Sequence, residues 1–145
     1  MTSEQIQQFL QTGCFPGRKL PVELTETHIS WVLLTPDFAF KIKKPVDFGF
    51  LDFSTFERRK HYCQEELRLN QRLAPEVYLA VLPISEEDGQ LCIGAENPVQ
   101  VLDYAIQMRR LDNRYEMDRL LLKKAVTAGD MAPLAVLLAN FHQQH

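Results

Sequence analysis

The sequence lacks the features that mark several large protein classes. Its three cysteines, Cys14, Cys63 and Cys92, are widely and irregularly spaced. An odd count at such spacing argues against a disulfide framework and against a zinc site, and it suits the reducing cytoplasm. Cys63 falls on the apolar side of a charged segment and reads as a core residue rather than a nucleophile. No apolar run approaches the ~18 residues of a membrane span. The first ten residues are polar and carry Glu4, unlike a secretory signal. There is no basic excess either: 16 Lys and Arg face 19 Asp and Glu, a net charge of -3. Without a positive surface or an aromatic-plus-basic strand face, nucleic acid is set aside as a partner. What remains is an ordinary globular balance, 46% hydrophobic and 24% charged over 145 residues, enough for one folded domain.

Local patterning predicts an α+β layout. Ile6, Phe9 and Leu10 have helical spacing within residues 2–12, and Gly13 stops that helix. Ile29, Trp31 and Leu33 alternate with Ser30, Val32 and Leu34 as a strand. Thr35-Pro36-Asp37 turns the chain, and Phe38 to Lys43 returns as the second arm of an antiparallel hairpin. Val22 to Thr25 supplies a third strand. Ser54 and Glu57 have capping-box spacing, which predicts a helix from about Thr55 to Arg72 with Leu69 and Leu73 inward. On it, Arg58, Arg59 and Lys60 read as a solvated face.

Beyond Pro75, strands are expected at 77–84, 91–93 and 99–108, with Asp88-Gly89 as a tight hairpin turn. Helices are expected at about 114–127, ending before Gly129, and at 131–143, capped by Asp130 with Pro133 in its first turn. The sum is an antiparallel sheet of five or six strands packed on a central helix, followed by two C-terminal helices.

One pair of residues carries chemistry. Lys41 follows Ala39-Phe40 on a strand, and Glu66 lies 25 positions later on the next helix. In protein kinases a strand lysine contacts nucleotide phosphates and is steadied by a helix glutamate. A fixed carboxylate keeps such an ammonium oriented and charged among apolar neighbours. Glu65, one position round the helix, is the alternative partner. Asp47-Phe48-Gly49 spells a kinase metal motif but precedes the helix, so it reads as a loop turning on Gly49 with Phe48 and Phe50 packing. His142 and His145 lack companion ligands and read as a helix tail.

The segments Glu26–Val32, Phe38–Pro45, Asp47–Thr55, Tyr62–Asn70 and Arg72–Pro75 together resemble the N-terminal part of bacterial aminoglycoside phosphotransferase-like proteins. These are a branch of the protein-kinase-like fold, often fused to a P-loop kinase or ATPase domain. The resemblance implies that Lys41 holds ATP phosphates, with Glu66 as its partner. It implies an adenine hinge near Met108, Arg109 and Arg110, and a phosphate-covering turn around Thr27 and Ser30. That turn has no glycine, so it departs from the G-x-G-x-x-G pattern and offers hydroxyls instead.

The resemblance further implies residues 1–111 as a kinase-like N-terminal lobe and 112–145 as the start of a helical lobe. No H-G-D-x-x-x-x-N-like stretch occurs, so no catalytic base or metal ligand is assigned here. The expected function is the nucleotide-binding half of an ATP- and Mg²⁺-dependent small-molecule phosphotransferase, inactive without its second lobe. The alternative is a regulatory or interaction module with a kinase-like lobe. Residues 134–141 leave almost no polar face, which predicts cover by the missing lobe or by a homodimer.

Overall fold

The computed structural model describes residues 1–17 and 22–143. His145 lies outside the described residues. After an N-terminal helix the chain forms three consecutive strands: β1 (Glu23–Glu26), β2 (Ser30–Leu34) and β3 (Phe38–Lys43). They pair antiparallel, with Trp31 opposite Ile42 and Leu33 opposite Phe40. Threonine hydroxyls close both turns, Thr27 accepting from the Ser30 amide at 3.0 Å and Thr35 from the Phe38 amide at 3.1 Å. Side chains alternate across a pleat, so Phe40 and Ile42 share one face while Lys41 and Lys43 share the other.

The first face builds the core. Helix α1 (Ser3–Thr12), opened by a capping box between Thr2 and Gln5, lays Ile6 and Phe9 on it. The Phe9, Phe15 and Phe40 rings follow one another with centroids 5.6 Å apart. Gly13 ends α1 for a steric reason: a Cβ there would sit 2.6 Å from both the Phe9 carbonyl and the Phe9 ring.

Strands β4 (Tyr78–Glu87), β5 (Gln90–Ile93) and β6 (Val101–Arg109) complete a six-stranded sheet in the order β1-β2-β3-β6-β4-β5, every neighbour antiparallel. The fold is α+β. Asp88 and Gly89 both have positive φ, the requirement of a two-residue type I′ hairpin. The arms of that hairpin are longer than the apolar runs alone suggest.

Helix α2 (Phe56–Asn70) connects β3 to β4 and packs on β4 and β6. Its cap is Thr55, whose hydroxyl accepts from the Arg58 amide; Ser54 turns away and donates to Asp52 at 2.6 Å. The helix therefore begins one residue later than its capping-box spacing suggests and ends at Asn70. Leu69 and Leu73 are substantially exposed, contrary to expectation. The inner stripe is instead Arg59, Cys63, Glu66 and Asn70, at i, i+4, i+7 and i+11.

Arg59 is the largest departure from a solvated face. Its Nε donates to both carboxylate oxygens of Asp103 on β6, at 2.9 and 3.1 Å, and Nη1 donates to the Phe53 and Ser54 carbonyls. Asp103 is fully buried and also accepts from the Met1 ammonium at 2.8 Å. Arg58 pairs with Asp52, and the Lys60 ammonium lies 5.3 Å over the Tyr104 ring.

The loop between β3 and α2 turns at Gly49, with φ of 79° and its amide on Asp47. Phe48 and Phe50 stack on each other rather than entering the core, and Phe50 is 90% exposed.

The chain forms two compact units, Met1–Arg110 and Leu111–His145. The second holds a 3-10 turn (Asn113–Tyr115), a short α3 (Met117–Leu122) and α4 (Ala128–Gln143). The helix expected over 114–127 is thus broken twice, at Glu116, whose backbone is extended, and at Lys124, which takes a left-handed conformation. Helix α4 starts before Asp130, whose carboxylate reaches back to the Thr127 amide and hydroxyl from inside the first turn. Gly129 therefore lies within α4, and Pro133 falls in its second turn. No described residue of α4 is buried. Among the described residues no helix is long and apolar enough to cross a membrane.

Removing the Asp103 carboxylate strands a buried guanidinium. Asp103→Ala is expected to lower the unfolding free energy by about 3–5 kcal/mol. Urea denaturation followed by circular dichroism reads this, and an unchanged midpoint would show that the ion pair contributes no stability.

Candidate functional site

Strand β3 and helix α2 together bring a small charged cluster to the face opposite the core. The period of two along β3 places Lys41 and Lys43 side by side. The helical period carries Glu66 two turns beyond Arg59, over the same face. Lys41 Nζ lies 2.7 Å from Glu66 Oε1, and Lys43 Nζ lies 2.6 Å from Oε2. The expected Lys41–Glu66 pair is present, and its carboxylate holds a second lysine that the sequence reading did not single out. Glu65 is not the partner; it binds Arg68 on its own helix at 2.7 Å.

The two lysines differ in surroundings. The Lys43 side chain is 4% exposed, with its ammonium 4.6 Å above the Phe53 ring. Lys41 is 25% exposed and Glu66 16%. Burial pushes the Glu66 carboxyl up, but hydrogen bonds and charge from both lysines outweigh it and hold the group below its ordinary 4.5. Two cations against one anion leave the cluster at net +1, in a setting where water screens poorly. An open cavity of about 420 Å³ adjoins it, lined by Lys43, Phe53, Tyr62, Glu66 and Leu69 among others. Beneath lies Cys63, its thiol pushed up to about 12 by burial, so it stays protonated and unreactive.

The other residues named from the sequence are positioned differently. Thr27 is committed to its turn: its hydroxyl accepts from the Ile29 and Ser30 amides and donates to the Ser30 carbonyl. Ser30 stands opposite Lys43 in the β2–β3 register, and therefore on the same face. Its hydroxyl is fully buried and is the one such side-chain atom without a hydrogen-bond partner among the described residues.

Met108 sits within the ladder between β3 and β4. The Arg109 amide donates to the Val77 carbonyl at 2.8 Å and the Arg110 amide to the Asp37 carbonyl at 2.9 Å. Neither N–H is open to a purine. The Arg110 guanidinium holds the Thr35 carbonyl and Glu23, and Arg109 Nε donates to the Glu76 carbonyl. Both arginines brace the end of β6. Arg109 registers with Phe38, three residues and roughly 10 Å along β3 from Lys41.

Two features escaped the sequence reading. Lys43 could have been found from the Lys41-Ile42-Lys43 alternation, since both lysines must share a face. The burial of Arg59 and Asp103 had no such signal, because it depends on which strand α2 crosses.

No protein-family model matches the chain, and no solved structure matches it. It is 36% identical over 123 residues to an uncharacterized protein of Mycobacterium bovis and, with the same figures, to one of Mycobacterium tuberculosis. The match covers 85% of this chain but 23% of each relative, so the chain spans about a quarter of the length of the curated relatives it matches.

A carboxyl held below its ordinary value stabilises the fold above that value, and the contribution is lost as pH falls through the folded-state value. Stability is therefore expected to drop below about pH 4.5 as Glu66 takes up its proton. Glu66→Gln should cost about 1–3 kcal/mol at neutral pH and show a flatter acid limb. Urea midpoints measured from pH 7 to pH 3 check both, and parallel acid limbs would refute the assignment.

Proposed function

We propose that the unit Met1–Arg110 is the nucleotide-facing lobe of an ATP-dependent phosphotransferase akin to aminoglycoside phosphotransferase-like proteins. In this reading a longer protein transfers the ATP γ-phosphoryl group to a hydroxyl of a small molecule. The supporting observation is the strand ammonium of Lys41, held at 2.7 Å by a carboxylate from the adjacent helix. A phosphate chain needs a cation that is oriented before the ligand arrives and poorly screened. The net +1 of the Lys41–Glu66–Lys43 cluster suits that anion.

The residues here do not suit Mg²⁺. Glu66 is committed to two lysines and Glu65 to Arg68. Metal ligands and the catalytic base are assigned in this proposal to the remainder of the longer protein. Its setting is the cytoplasm, where ATP is available and thiols stay reduced.

A second reading, a lobe kept as an interaction or regulatory module, is favoured by one observation: the Arg109 and Arg110 amides and the Thr27 hydroxyl are already engaged. Calorimetric titration of the chain with ATP separates the two. Lys41→Met should weaken binding at least about tenfold. Equal affinity in the variant would place the nucleotide elsewhere, and no heat with the wild type would favour the module.

The second unit extends the proposal. Val136, Leu137 and Leu138 on α4 are each about half exposed. Apolar surface of this kind is covered in the working protein, and in the isolated chain a second copy takes that role. Light scattering should report a dimer; a monomer that binds no hydrophobic dye would overturn this.

A further inference from the structure

The carboxylate of Glu66 is shared, and its two partners are unequal. Lys43 is nearly inaccessible, packed over Phe53, and 2.6 Å from Oε2. Lys41 is six times more exposed and meets the other oxygen. A simple one-to-one pair would face a conflict on binding phosphate. As Lys41 turned toward the ligand, a mostly buried carboxylate would be left without a cation, and that desolvated charge would oppose binding.

We propose that Lys43 is the fixed partner of Glu66 and Lys41 the exchangeable one, so that the carboxylate keeps a buried cation when Lys41 turns to a bound phosphate. Lys43 is then a positioning residue. It touches no ligand, but it holds Glu66 charged and in place and supplies the surplus positive charge of the cluster. The role of Lys41 rests on the nucleotide reading above, whereas the fixed partnership of Lys43 does not.

The geometry supports the division of labour. Lys43 is the last residue of β3, directly opposite Ser30, and although it borders the cavity its side chain is 4% exposed and packed over Phe53. Its stem has little room to swing, while Lys41 is paired with Val32 and Ile106 in the middle of the sheet and reaches a more open surface. The other charged or titratable groups near Glu66 are already settled. Glu65 binds Arg68, Asp103 binds Arg59, and Cys63 stays neutral. His61 lines the same cavity and is present in every variant.

Two measurements test the proposal. The first needs no nucleotide: the Glu66 side-chain carboxyl carbon is followed by NMR through an acid titration in wild type, Lys41→Met and Lys43→Met. The midpoint should rise more in Lys43→Met than in Lys41→Met, and Lys43→Arg should stay near wild type. A larger rise in Lys41→Met overturns the assignment. If Lys43→Met does not fold, Lys41→Met decides alone: the midpoint should stay below that of an unfolded control, and a rise above it refutes Lys43 as the fixed partner.

The second measurement is the ATP affinity of the chain by calorimetry. Lys43→Met should weaken it at least about tenfold, and the same change in a Glu66→Gln background by about threefold or less, because no carboxylate is then left unpaired. Equal losses in both backgrounds would show that Lys43 acts on the ligand directly. Absence of ATP binding in the wild type would count against the nucleotide reading and leave the NMR result standing on its own.

Discussion

The ion pair between Arg59 and Asp103 anchors the arrangement on which the site depends. Helix α2 carries few apolar residues on its inner face, so burial of hydrocarbon alone gives it little reason to hold one orientation. The guanidinium ties the first turns of α2 to the first part of β6, and to the Phe53 and Ser54 carbonyls just before the helix. A buried charge tolerates little displacement, since any slip leaves it unpaired in a medium that solvates it poorly. From that anchor, two helical turns place Glu66 about 10 Å further along the sheet, above the lysines of β3.

The sheet thus has two faces with different physics. On one, Phe9, Phe15, Phe40 and Leu33 exclude water and supply most of the apolar burial. On the other, Lys41, Lys43 and Glu66 form a polar cluster; a second forms on the core side of β6, where Asp103 meets Arg59 and the Met1 ammonium, and each carries more positive than negative charge. The Asp103 cluster is closed on every side by donors and carbonyls. The Glu66 cluster borders a cavity through Glu66 and Lys43, and its outer cation, Lys41, is partly solvated. That difference separates a closed polar network from one with an accessible cation, the feature on which the proposed anion-binding role rests.

Much of the fold was legible in the chain. Alternation through Trp31, Leu33, Phe40 and Ile42 marked the hairpin, Asp88-Gly89 marked a turn needing two positive φ angles, and Ile6 with Phe9 marked α1. The pairing of Lys41 with Glu66 was also legible, because strand and helix periods both aim those residues at a common space. The inner face of α2 was not. A stripe of arginine, cysteine, glutamate and asparagine has the spacing of a buried face without its hydrophobicity, so Leu69 and Leu73 were read as inward in its place. The breaks at Glu116, which is extended, and at Lys124, which is left-handed, carry no local signature in the chain.

The sequence alone determined which segments are strands, where they turn and which residues share a face, since these follow from side-chain periods of 2 and 3.6 and from turn chemistry acting over a few neighbours. Only the tertiary structure decided that β6 inserts between β3 and β4, that Asp103 thereby meets Arg59 across 44 positions, and that one glutamate answers to two lysines. Those outcomes depend on long-range pairing and on charges that become strong partners only after water has been removed from between them, and neither condition is written in any local stretch of the chain.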